Sequence, residues 1–477
     1  MTAIIVALVL FIIFCIPLTQ WRRHIRQVGD AFFPLGIIAL LHIVGIVPYL
    51  VLIGLYPDMI SAVLIGHPSI PDFDATLIWY GIVQAVGFFA LIAGYHSRLG
   101  GYIGNRLPLI AGRESESNCW VAVVLAVTGG LVGWVLLLQQ IGGYAFLITH
   151  LHQRTSLIAG SGYLLYSLNL FLIGIVALIY SMRYRRTLGK ILLTVLLGVG
   201  IIIIFSSLGG RGPAIRMFII SLLAWHYGVR RFTSVPWRWI TLSAIFVIPY
   251  FVLIPILRGS SGAVERFMHE PEALITESLA YIPKAVKQTS YVEHYLLIVS
   301  HFSADRVWFG RSYRDLLYAA IPSKLIPNKP PVDDGVYVQT IAITGQDVKP
   351  NTPFAELSPS SWPPETLGIS YMNFWVPGVL IGMFLLGAGY RLAYQYMQRS
   401  QYSLYSITIY GSVLLYFHLS NLRLMSTAMN VGLATLFYVV VFGGINSWQS
   451  RRSRQKGTPV GRRRTSLPAL RPLGDRR

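Results

Sequence analysis

The chain has 477 residues, of which 54% are hydrophobic and only 12% charged, and its 39 Lys and Arg against 19 Asp and Glu give a net charge of +20. With a mean hydropathy of +0.58 this excludes an ordinary soluble domain and points to a polytopic membrane protein solvated mostly by lipid. The two cysteines, Cys15 and Cys119, lie in separate apolar runs, which excludes a disulfide framework and a paired-cysteine metal or redox site.

In chain order, eleven apolar runs are long enough to cross a bilayer: about 3–19, 31–55, 76–96, 119–140, 162–181, 191–208, 213–228, 239–257, 372–392, 402–418 and 427–447. The first, AIIVALVLFIIFCIPLT, has no basic residue before it and is followed by WRRHIR, so it reads as a retained helix and not as a cleaved signal. The shortest, 213–228, carries Arg216 in its first turn. The predicted fold class is an all-α membrane protein organised as helices 1–257, a large extracytoplasmic loop 258–371, helices 372–447 and a basic tail 448–477.

Charge orients this map. WRRHIR, the stretch from Ser97 to Arg113, RYRRTLGK, VRRFTSVPWR, the stretch from Arg391 to Arg399 and the tail after 450 hold 25 of the 39 basic residues. Of the 19 acids, 15 fall on the other side, so the positive-inside bias predicts an outward N-terminus and a cytoplasmic C-terminus. Bases spread along one membrane face favour anionic headgroups over nucleic acid, and no nucleic-acid partner is expected. The tail mixes Arg with Pro, Gly and Ser without an apolar period and reads as disordered.

The loop 258–371 is too long for a structureless connection and reads as a functional cap. Within it SYVEHYLLIVSHF, residues 290–302, predicts an interfacial or re-entrant helix with His294 and His301 on one face. FGRSYRDLLYAAIPSKLIPNKPP predicts a short helix with Arg311 and Arg314, then a proline-punctuated stretch with Lys324 and Lys329. Residues 332–365 read as turn-rich and contain Asp333, Asp334, Asp347, Glu356 and Glu365; Tyr371, Phe374 and Trp375 then mark the return to the membrane interface. His150 and His152 form an HxH pair with no accompanying ligand cluster, so no metal is expected.

Four bases remain, Arg154, Arg211, Arg216 and Arg423, all Arg and all at outward helix ends on this topology. Each alone reads equally as a surface anchor or a partner for a loop carboxylate. Together they fit a phosphate site, because the planar guanidinium matches phosphate oxygens and stays charged. The hairpin GGRGPAIR adds Gly209, Gly210 and Gly212 for close backbone approach and Pro213 as the first helical residue of the next span, leaving free N–H groups at a helix start.

Three segments in this order, GGYAFLITHLHQRTSLIAGSGYLL, SLGGRGPAIRMFIISLL and FGRSYRDLLYAAIPSKLIPNKPP with ETLGISYMNFWVPGVLIGMFLLG, resemble the oligosaccharide repeat unit polymerases, the Wzy-type O-antigen polymerases of bacterial surface-polysaccharide assembly. The resemblance implies a GT-C-like, metal-independent and cofactor-free glycosyltransferase at the outer face of the inner membrane. It would join undecaprenyl-diphosphate-linked repeat units, in contact with membrane lipids and with a chain-length-regulating co-polymerase as partner. Arg154, Arg211, Arg216 and Arg423 would then hold the departing diphosphate, with Arg258, Arg311 and Arg314 as a second rank. The base for the acceptor hydroxyl stays open among His294, His301, Glu293, Asp333 and Glu365. An O-antigen ligase is the alternative enzyme. A lipid-linked oligosaccharide flippase is the alternative from another class, disfavoured by the large asymmetric loop and the few charges within spans.

Overall fold

The computed structural model describes residues 1–443 except 111, 159, 210, 235–240, 242–249, 251, 258–261, 263–265, 267–268, 270–271, 273–280, 320, 322–324 and 327. The described residues are helical, with no β-strand among them. Among the described residues eight helices are long and apolar enough to cross a membrane, so the chain is an all-α multi-pass membrane protein. In order the first six of these are α1 (Thr2–Val28), α2 (Pro34–Leu55), α3 (Phe73–His96), then, after the short α4 (Arg98–Arg106), α5 (Glu116–Ile141), α6 (Gly162–Ser181) and α7 (Leu188–Ser207), and the other two are Glu365–Arg399 and Asn421–Phe442. After α8 (Arg211–Gly228) come the loop helices α9 (Ile282–Thr289), α10 (Val292–His301) and α11 (Asp334–Thr344). The chain then closes with α12 (Glu365–Arg399), the 13-residue α13 (Leu404–Tyr416) and α14 (Asn421–Phe442). Of the expected runs, 239–257 lies mostly outside the described residues.

Local chemistry sets the helix ends. Asp72, Ser115, Thr187 and Ser403 accept from a backbone N–H of the first turn of α3, α5, α7 and α13. Gly29, Gly142 and Gly443 take the left-handed conformation that stops α1, α5 and α14. Pro213 is the third residue of α8 and not its first, because the helix already begins at Arg211; a first-turn position needs no N–H donor, so the proline is tolerated there.

In lipid, burying apolar area between helices contributes little, and close backbone approach carries more of the packing. Between α3 and α12 this is explicit: a Cβ on Gly94 would overlap the Phe384 carbonyl, and one on Gly387 would overlap the Leu91 carbonyl.

The feature that shapes the loop end is a reversal inside α12. Phe374 (φ −144°, ψ 20°) and Trp375 (φ 52°, ψ −146°) leave helical geometry. Leu367 and Met383 both pack against Gly87, although a continuous helix would hold residues sixteen apart at about 24 Å. Gly382 likewise meets Ser370. Residues 365–373 therefore form a buried leg that doubles back on the long span. The carbonyls freed at the turn are taken up by the Trp308 N–H on Met372 O (2.9 Å) and the Phe309 N–H on Asn373 O (2.9 Å). Trp79 and Trp375 both donate to the Tyr371 hydroxyl, each at 2.9 Å.

Two loop expectations change. The segment 292–301 is a helix, but not an interfacial one: eight of its ten residues are buried, against α3, α12 and α11. The stretch read as turn-rich contains the regular helix α11, whose Val, Thr and Ile residues resemble a strand in isolation; burial on nearly every side overrides that propensity.

Candidate functional site

At the loop end, the buried leg of α12 begins with Glu365, which follows Pro364 and has φ 47°, a left-handed conformation that disfavours a side chain. Its carboxylate is held by Arg423, the third residue of α14, through Nε to both oxygens (3.1 and 3.1 Å) and Nη2 to Oε1 (2.5 Å). His418 Nδ1 stands 3.7 Å from the other side of the same carboxylate. The Glu365 side chain is only 7% exposed. A buried, forked ion pair is a poor device for stability, because desolvating both charges offsets their attraction; its presence at a strained backbone position marks the site.

The place of Arg423 and His418 follows from a broken hairpin. Residues 417–420 continue the short α13 without helix, so their backbone groups need other partners. The Leu419 N–H donates to Thr366 Oγ1 (2.9 Å), and the Phe417 carbonyl accepts from the Tyr390 hydroxyl (3.3 Å). Asn421 seats the start of α14: its N–H and side-chain amide donate to the two Asp334 oxygens (2.7 and 3.0 Å), and the amide also reaches the Ser312 carbonyl (2.7 Å).

Around this pair the structure gathers three more of the residues expected from sequence, Arg216, His294 and Asp333. Arg216 packs its guanidinium over the Tyr416 ring at 4.4 Å. Burial pushes the Tyr291 hydroxyl upward, Glu365 adds to the rise, and Arg423 and Arg216 oppose it, which places all three charges in one neighbourhood. His294 is stacked on Trp362 (4.7 Å, 18°), with Nδ1 3.4 Å from the Pro363 carbonyl. Burial lowers its imidazole to about 4 against the opposite pull of Pro363 and Glu365. The ring is thus neutral at neutral pH, and with Nδ1 turned to a carbonyl its lone pair is on Nε2. Asp333 caps α11 by accepting from the Gly335 N–H (3.0 Å), and burial raises its carboxyl while Arg423 lowers it. His418 is lowered by burial, with Glu365 opposing.

Arg154 adjoins this group: Nη1 donates to the Leu208 carbonyl (3.0 Å), one of the acceptors left open at the end of α7, beside the glycine hairpin. Arg211 opens α8 in that hairpin, and Gly209 adopts φ 65°. Arg258 lies outside the described residues, as does Lys324. Arg311 and Arg314 are exposed on a 3₁₀ helix (Arg311–Tyr318), where a spacing of three puts them on one face. Lys329 instead fastens the loop, donating to the carbonyls of Tyr318 (3.3 Å) and Ile321 (2.5 Å).

Two candidate bases stand apart from the cluster. Glu293 accepts from the Tyr49 hydroxyl (2.5 Å) and the Ser61 N–H (2.7 Å) and meets Lys287 at 3.2 Å, tying the loop to the end of α2. His301 is about 10 Å along α10 from His294. Both its nitrogens are engaged, Nδ1 with Ser69 Oγ (2.9 Å) and Nε2 with Asp347 (3.0 Å), while Asp347 also accepts from Arg306 (3.1 Å). A shared helix face therefore leads the two histidines to different partners. Sequence reasoning missed His418, Thr366 and Tyr291; the polar interruption HLSN within an apolar hairpin was the available signal.

The fold and this cluster define a multi-helix membrane protein with opposite charges buried together beneath a long loop. No known protein family, curated protein or solved structure matches the chain.

Proposed function

We propose that the chain is a polysaccharide polymerase of the Wzy type, joining undecaprenyl-diphosphate-linked repeat units by glycosyl transfer at the outer face of a bacterial inner membrane. The observation that carries the reading is the convergence of Arg216, Arg423, Glu365 and the neutral His294 at the loop end. In the proposed reaction the acceptor hydroxyl oxygen attacks the anomeric carbon of the lipid-linked chain. The bond from that carbon to the diphosphate breaks, its electron pair leaves with undecaprenyl diphosphate, and the hydroxyl proton passes to His294 Nε2 and then to water. Negative charge grows on the leaving diphosphate, and Arg216, with Arg154 and Arg211 from the adjoining turns, is suited to grip it more tightly as it does so. Arg423, already forked onto Glu365, has a fixed geometry and acts as a positioning residue for that set.

The test is the length distribution of lipid-linked and surface glycan in cells with and without the gene. Collapse of a ladder to single repeats, still exported and attached, supports the polymerase. Long chains accumulating on undecaprenyl diphosphate would identify a ligase instead, and failure of repeats to reach the outer face a flippase.

A further inference from the structure

Where α3 passes into α4 a cavity of about 600 Å³ opens, and its lining includes His24, His96, Arg98, Tyr102, Asn105 and Arg391. Arg391 lies over the Tyr95 ring at 5.5 Å. Arg98 is exposed and makes no ion pair among the described residues. The carboxylate nearest the wall, Asp30, stands 3.9 Å behind His24. It is already engaged by the Phe32 N–H (3.0 Å), by the hydroxyls of Tyr227 (2.8 Å) and Tyr394 (2.5 Å) and by His226 at 3.3 Å, so it does not neutralise the two arginines.

The cavity is therefore a cationic one with neutral donors beside it. Two guanidinium groups match the oxygens of a phosphate, while the volume is that of a whole headgroup and exceeds what a bare ion fills. Its surroundings name the source. On α4 the apolar side chains of Leu99 (39%), Tyr102 (54%) and Ile103 (38%) face outward beside the opening, as a helix lying at a lipid boundary requires. We propose that this cavity binds the phosphate headgroup of an anionic membrane lipid, with Arg98 and Arg391 as its ligands. The site uses none of the residues to which the glycan chemistry is assigned.

The experiment uses the full chain in nanodiscs of equal phosphatidylglycerol and phosphatidylcholine, with lipid retention read by native mass spectrometry. The wild type retains phosphatidylglycerol selectively, and the double variant Arg98→Gln/Arg391→Gln retains about tenfold less. A control variant, Arg113→Gln/Arg185→Gln, removes the same charge from exposed residues elsewhere and behaves as wild type. Because Arg98 is exposed, Arg98→Gln alone serves if the double variant is not monodisperse, and it shows the same loss to a smaller degree. Equal retention in the Arg98 variants, or an equal loss in the control, overturns the site. Displacement of the lipid by millimolar inorganic phosphate, dependent on Arg98, overturns the headgroup assignment in favour of a free phosphate.

Discussion

Two buried carboxylates, Asp30 and Glu365, are satisfied in different ways. Asp30 takes hydrogen bonds from a backbone amide and two tyrosines, with His226 beside it, and so knots the α1–α2 turn to α8 and α12. Burial raises its carboxyl, but the donors, His226 first, hold it below the usual range. Glu365 takes a full guanidinium instead, on a strained backbone. A carboxylate shared among an amide, two hydroxyls and an imidazole makes a structural knot that tolerates small changes; one forked onto a single guanidinium makes a centre that a single substitution leaves uncompensated.

The sharpest way to break this contrast is Glu365→Gln. It leaves Arg423 buried without its anion, and thermal or denaturant unfolding should show a loss of ~3–5 kcal/mol. A cost no larger than that of an exposed substitution would make the two carboxylates equivalent. Next in size, His294→Ala should cut polymer formation by ~10²–10⁴-fold at an unchanged membrane level, read from the glycan ladder; His301→Ala, at the Ser69–Asp347 link, should leave the ladder far longer. Arg216→Lys and Arg211→Lys keep the charge but lose the fork, and each should shorten the ladder by roughly tenfold in rate. Unchanged chain length would remove that arginine from the mechanism. Asp30→Asn should cost about 1–3 kcal/mol of stability while the ladder of the folded protein stays normal.

The remaining prediction is a pH slope. His294 sits at about 4 in the folded protein, against 6.5 for its ordinary value. Between those values the unfolded chain binds more protons, so stability is fully present above about 6.5 and is lost as pH falls toward 4, by up to ~1.4 kcal/mol per unit. His294→Gln should flatten that share of the slope in unfolding measured from pH 7 to 4.5.

Hydropathy reaches eight of the eleven expected spans among the described residues, because each must satisfy one requirement, an apolar length matched to lipid. The arginines were legible for the same reason, since a cation at a hydrocarbon edge is conspicuous. The turn at Phe374–Trp375 was not, because Tyr, Phe and Trp there also satisfy the expectation for an interface. Nor was the pairing of Glu365 with Arg423, which depends on that turn. Glu293 and Asp333 were equally good carboxylates by sequence, and only contact with Tyr49 and Ser61 in one case and a cap at Gly335 in the other separates them.

The doubled-back leg also has a consequence for synthesis. Glu365 and Arg423 are 58 residues apart, and the seat of Arg423 is built from Asn421 on Asp334 and Leu419 on Thr366. While the ribosome is still making α13, the leg 365–373 therefore exists without its counter-charge. The charged centre is completed only when α14 arrives, which makes translation of that helix the step at which the buried carboxylate gains its counter-charge.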